Sequence, residues 1–137
     1  MMKRAGYSDK EIVSVYTCIL RSMLEYAAPV WHPGLTLAQS KTLESIQKRV
    51  LKIVYPEESY NEALELSNLT LLSDRRSNLC KKLFHSMQDA NHKLNHLLVM
   101  RHGNEYQLRN PNKYELPICR TDRYKKSFIP YCLYNLQ

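Results

Sequence analysis

Apolar positions recur at helical spacing over the first two thirds of the chain. Ile12, Tyr16, Ile19, Met23 and Ala27 repeat at intervals of three and four, which gathers them on one face of a helix. Ser8, followed three residues on by Glu11, reads as a capping box that starts this helix. Pro29 reads as its end, because proline has no amide donor and disfavours helix in the residue before it. Residues 30–34 form a corner in which Trp31 is expected to plug the core rather than to serve as a ligand platform.

A second helix opens at Thr36, where Gln39 completes another capping box, and runs to Tyr55 ahead of Pro56. Leu43, Ile46, Val50 and Ile53 fall on one side of it. Lys41, Lys48 and Lys52 line up opposite, within about 40° of one another, and Arg49 flanks them. A short third helix starts at Ser59, capped with Glu62, and carries Ala63, Leu64 and Leu66. The fourth spans residues 71–88, with a stripe of Leu72, Leu79, Leu83 and Met87 and with Arg76 in its middle. A guanidinium there is costly unless its charge is matched, so Arg76 is expected to make a structural ion pair that pins the helix.

Past residue 100 the pattern changes. Residues 100–137 hold seven Lys or Arg against three acids, and five of the ten tyrosines, while Pro111, Pro117 and Pro130 interrupt any long element. The expected architecture is all-α: a helical domain of about four helices over residues 1–99, with an extended, basic, Tyr-rich tail over residues 100–137.

Composition narrows the function. The chain has 137 residues and a net charge of +7, which predicts one domain with a basic surface. Three glycines leave no Gly-rich loop to cradle a phosphate. The longest uncharged run, from Tyr26 to Ser40, contains two prolines and a glycine and is too short to span a bilayer. The first residues lack the apolar segment of a signal peptide, and the four cysteines form no CxxC pair. These features predict an intracellular, non-secreted chain, in nucleus or cytoplasm, with reduced thiols. In such a chain the Asn68-Leu69-Thr70 glycosylation pattern is a chance match.

The chemistry of catalysis is hard to assemble from these residues. Cys80, His85, His92 and His96 match no familiar zinc spacing, so no metal is expected. No two aspartates are adjacent, whereas a two-metal phosphoryl-transfer site needs clustered carboxylates. No nucleophile elbow or paired-histidine zinc motif occurs, so the expectation is no enzyme and no cofactor. The positive signal is electrostatic. Lys41, Lys48, Arg49 and Lys52 make one basic surface. Arg120, Arg123, Lys125 and Lys126, interleaved with Tyr124, Phe128 and Tyr131, make a second. Cations along a path neutralise phosphates and aromatic faces stack on unpaired bases. The competing reading is a solvated helix face plus a frayed terminus.

Four stretches in order resemble the C-terminal end of non-LTR (LINE-type) retrotransposon polyproteins of the jockey-like range. Residues 16–31, YTCILRSMLEYAAPVW, resemble the family's Y-x-x-x-I-R-S-x-L-E-Y-x-x-x-V-W. Residues 46–53, IQKRVLKI, resemble I-Q-K-R-x-L-R-I, and Leu72 to Arg76 resemble L-x-x-R-R. The last is Arg120-Thr121-x-Arg123-x-x-x-Ser127-Phe128-Ile129-Pro130. The resemblance implies that the first three stretches form a reverse-transcriptase thumb and the last a tail that handles element RNA. It implies that Lys48, Arg49 and Lys52 lie where a nucleic-acid backbone runs. The polymerase palm, with its aromatic-Ala-Asp-Asp turn, is not among these residues. The expectation is therefore a catalytically inert remnant that binds RNA, DNA or their hybrid without sequence preference and has no membrane partner. A thumb parted from its palm exposes apolar surface, for which Ile12, Tyr16 and Leu20 are the candidates. The alternative is a domesticated helical module that binds an acidic protein partner.

Overall fold

The three capping boxes expected at Ser8, Thr36 and Ser59 all form in the computed structural model, which describes residues 6–101 and 113–136. In each, the hydroxyl accepts the amide of the residue three positions on, and that residue's side chain reaches back to the cap amide. The helices are α1 (Asp9–Val15), α2 (Arg21–Glu25), α3 (Ala28–Trp31), α4 (Leu37–Val54), α5 (Tyr60–Leu66), α6 (Leu72–Met87), α7 (Asp122–Lys125) and α8 (Phe128–Asn135). Among the described residues no strand forms, so the chain is all-α, with a lone antiparallel bridge between Met100 and Tyr114. Pro111 and residues 102–112 of the expected tail lie outside the described residues.

The chain forms two compact units, and α6 passes from one to the other between Arg76 and Ser77. The first takes residues up to Ala28 and from Leu35 to Arg76.

In this unit α1 passes into α2 through a π-helical turn, Tyr16–Leu20, closed by the Arg21 amide on the Tyr16 carbonyl. A π turn inserts one residue and rotates the following face by about 100°. Ile12 and Tyr16 are buried, as the apolar stripe requires, but beyond the turn the inward positions become Leu24, Glu25 and Ala28. Ile19 and Met23, expected on the buried face, are 55% and 71% exposed. Of the three residues expected to form an exposed patch, only Leu20 is exposed. The helix also ends before Pro29: Tyr26 turns extended, Ala27 takes φ +49°, and Pro29 sits in the first turn of α3, where its missing amide costs nothing.

The side of α4 that faces inward is likewise shifted. Gln47, Leu51 and Val54 are buried, while Ile46 and Ile53 are exposed. Gln47 takes the centre of the face because its amide is fully engaged there. Its oxygen accepts the Tyr16 hydroxyl (2.7 Å), and its nitrogen donates to the Tyr60 hydroxyl (3.1 Å) and the Thr70 carbonyl (3.0 Å). Tyr60 in turn donates to Glu44, which also accepts the amide of Leu72 in the first turn of α6 (3.2 Å). Leu51, Ala63 and Leu64 pack beside this network, with Tyr55, Tyr60, Leu69 and Leu71 against them. Leu69 closes α5 in a Schellman motif: its amide reaches the Leu64 carbonyl (2.9 Å), with Asn68 at φ +53°.

Arg76 is fully buried, as its place in the stripe of α6 demands. It donates to the Ser40 hydroxyl (2.9 Å), and the carboxylates of Glu44 and Glu25 attract it against the cost of desolvation. The forked ion pair falls to its neighbour: Arg75 grips Glu25 through Nε and Nη2, joining the end of α2 to α6.

The second unit comprises residues 29–34 and 77–137. Phe84 and Met87 of α6 pack with Leu98, Tyr114, Cys132 and Leu133, and the Phe84 and Tyr114 rings meet edge to face at 6.3 Å. Trp31 is half-buried in this unit. Asn95 caps α6 by donating to the Met87 carbonyl (2.9 Å). The described part of the expected extended tail contains two helices, and α8 contributes Pro130, Cys132 and Leu133 to the buried core. Pro130 does not interrupt α8 because it lies in the first turn, where amides have no helical acceptor. The apolar run from Phe128 to Leu133 supplies the face to bury.

Replacing Gln47 with Leu, similar in volume, strips partners from two tyrosine hydroxyls and one carbonyl. Urea unfolding is expected to show a loss of about 2–4 kcal/mol. A loss within about 0.5 kcal/mol would mean that the amide does not organise the unit.

Candidate nucleic-acid interface

With Gln47, Leu51 and Val54 turned inward, helical geometry sends Lys41, Lys48, Arg49 and Lys52 to the opposite surface, and all four are exposed. The structure brings three of them together. Lys48, Arg49 and Lys52 line a groove of about 530 Å³ between the C-terminal half of α4 and α5, floored by Leu51 and Ala63. Lys41 stands two turns away on the same side of α4 and does not line the groove.

The groove has features that the charge pattern alone does not reveal. Tyr55 and Tyr60 contribute aromatic walls and Glu58 an acidic rim. Tyr55 caps α4, its amide bonded to the Leu51 carbonyl at 2.7 Å, and Pro56 directs the chain away from the helix. The Lys52 ammonium donates to the Pro56 carbonyl, which helps to hold this turn. Tyr60 enters at the first position of α5. Its hydroxyl is tied to Glu44 and Gln47, and the Lys48 ammonium lies 5.9 Å from its ring centroid. A wall signal was present in the sequence: two tyrosines flank Pro56 directly after a basic helix. Their convergence on one groove depends on the turn and on Gln47.

The other expected surface belongs to the second unit. Arg120, Arg123, Tyr124, Lys125 and Lys126 are exposed around α7, whose first turn is capped by Thr121 on the Tyr124 amide (3.2 Å). Phe128 and Tyr131, expected as stacking faces, instead pack against the core of the unit because the register of α8 turns them inward. Tyr134 supplies an aromatic face in their place, 43% exposed, with the Lys125 ammonium 5.7 Å from its centroid. Its hydroxyl donates to the Pro117 carbonyl (2.9 Å).

Among the described residues no three His, Cys, Asp or Glu side chains are grouped so that they could hold a metal ion, and no helix is long and apolar enough to cross a membrane. Comparison with models of known protein families, with curated proteins and with solved structures finds no match.

Burial gives the stability of the fold a pH dependence. Burial, the largest cause, pushes Tyr16 up to about 12, and burial together with the Glu44 hydrogen bond raises Tyr60 further. Below pH ~10 both phenols are protonated in the folded and the unfolded chain, so neither contributes a slope. Above it the unfolded chain loses these protons first, and stability falls as pH rises toward the folded values. Cys132, likewise pushed up to about 12 by burial, adds to the alkaline loss. Melting points from pH ~9 to ~12 should therefore decline, and Tyr16→Phe should decline less steeply than wild type. Parallel curves would show that Tyr16 ionises as freely in the folded chain as in the unfolded one.

Proposed function

We propose that this chain binds nucleic acid without sequence preference through the basic groove of its first unit, and that it is a remnant of the reverse transcriptase of a non-LTR retrotransposon. The observation that carries the reading is the grouping of Lys48, Arg49 and Lys52 on one wall of a tyrosine-lined groove. Three cations along one helix face neutralise consecutive phosphates and release their counterions, and aromatic walls add stacking that every base can use. The cluster Arg120, Arg123, Lys125 and Lys126 with Tyr124 supplies a further cationic surface of the same composition. The proposal gives the chain no catalytic role of its own, no metal and no cofactor, and places it inside the cell.

The retrotransposon origin rests on the sequence resemblance, and the placement of the resembling residues supports it. Two hydrogen-bonded pairs, Tyr16 with Gln47 and Glu25 with Arg75, each join residues of different resembling stretches within one unit.

A second reading has its own observation. Ile19, Met23 and Tyr26 form an exposed apolar line along the π turn and α2, a surface suited to a protein partner, as in a domesticated interaction module.

Affinity for a single-stranded RNA separates the two readings. It should weaken steeply as salt rises from about 50 to about 200 mM, and Lys48→Glu with Lys52→Glu should flatten the log–log slope by roughly 1–2. Binding that is indifferent to salt, or unchanged by the double charge reversal, would exclude the groove as a phosphate track.

A further inference from the structure

The groove is electrically one-sided, and that asymmetry bears on the form of strand it accepts. Its α4 wall is cationic, with Lys48, Arg49 and Lys52. Its far edge is anionic: Glu58 lines the groove, and Glu58, Glu62 and Glu65 together line the adjoining hollow on α5. Ser59 hydrogen-bonds the Glu62 carboxyl and holds it below its ordinary range. Tyr55 and Tyr60 line the same groove.

We infer that the groove takes one unpaired nucleic-acid strand, with its backbone along α4 and a base against the Tyr55 and Tyr60 walls, and that it disfavours a duplex; this rests on the nucleic-acid reading above. A duplex carries two backbones, which flank grooves roughly 6–12 Å wide. Packed helices sit about 8–10 Å apart. With one backbone seated on the α4 cations, a second backbone in the same groove would meet the Glu58 carboxylate that lines it. Like charges brought together in this way cost affinity and select against the wrong form. A single strand brings no second backbone. Its base turns from the phosphates toward the aromatic walls, and its edge amino groups can donate to Glu58.

The walls are suited to stacking because they are held. Tyr60 is locked by the Glu44 and Gln47 hydrogen bonds, and both tyrosines are backed by the Leu51, Ala63 and Leu64 cluster. Rings fixed in advance lose little entropy when a base lands on them. The volume of about 530 Å³ falls in the ordinary range of small-ligand clefts, ~300–1,000 Å³, and so suits one nucleotide rather than a helix.

The test measures anisotropy of a labelled RNA of about twelve nucleotides, single-stranded or annealed to its complement, at fixed salt. The single strand is expected to bind about tenfold more tightly than the duplex. Tyr55→Leu, which keeps apolar packing but not stacking, should lose about tenfold on the single strand and leave the duplex unchanged, while Tyr55→Phe keeps wild-type affinity. Glu58→Lys with Glu65→Lys should raise duplex affinity toward that of the single strand. Ultraviolet crosslinking of the wild-type chain to thiouridine-labelled single strand should map to residues 55–60, a readout that does not depend on any variant folding. Equal binding of both forms, or crosslinks only elsewhere, overturns the single-strand seat and leaves the nucleic-acid reading standing. Binding of neither form overturns both.

Discussion

A carboxamide shut away from water must have its donors and its acceptor matched, or it costs the unit about 1–3 kcal/mol for each orphaned group. Gln47 meets that constraint by reaching three segments at once, bonding to residues 31, 13 and 23 positions away along the chain. Tyr16 brings the π turn, Tyr60 brings α5 and Thr70 brings the approach to α6. Glu44, one turn earlier on α4, applies the same rule to the Tyr60 hydroxyl and the Leu72 amide. Hydrophobic burial alone tolerates small rotations of a helix about its axis. A set of directional bonds to fixed partners does not, and so it chooses the rotation of α4.

The surface follows from that choice. Once Gln47 points inward, its neighbours Lys48 and Arg49 must emerge on the groove side, and Tyr60, held by the same amide, becomes the facing wall. Interior and groove are therefore coupled through one residue. The stretch of sequence around Gln47 carries both duties, one residue buried for architecture and the next two exposed for charge. The same division appears at the start of α6, where Arg75 clasps Glu25 and Arg76 is buried against Ser40. Adjacent, chemically identical side chains serve different ends because helical geometry points them about 100° apart.

The π turn is the other determinant of the first unit. It moves Ile19 and Met23 from the expected core face to solvent, and it brings Leu24 and Glu25 inward in their place. Without that rotation Glu25 could not meet Arg75. Exposed apolar side chains are thus the counterpart of a buried-edge ion pair, one rotation producing both.

Local signals were readable directly from the order of residues: the all-α class, three capping boxes, the span of α4, the burial of Arg76 and the exposure of the α4 cations. Each depends on residues within one or two helical turns, where spacing and hydrogen-bond chemistry act without outside help. The fine rotation of helices was not readable. Apolar spacing placed Ile46, Ile53, Ile19 and Met23 inside, because it cannot count a satisfied glutamine as a core residue or foresee an inserted π residue. It likewise offered Phe128 and Tyr131 as stacking rings and treated Pro130 as a breaker, although the register of α8 buries the first two and seats the third in a first turn. The sequence by itself determined the all-α class, the capped starts of α1, α4 and α5 and the outward placing of the α4 cations, while the helices of the C-terminal region escaped it. Only the tertiary structure decided which face of each helix is the inside, because that depends on partners tens of residues away whose directional hydrogen bonds outweigh a modest difference in apolar area.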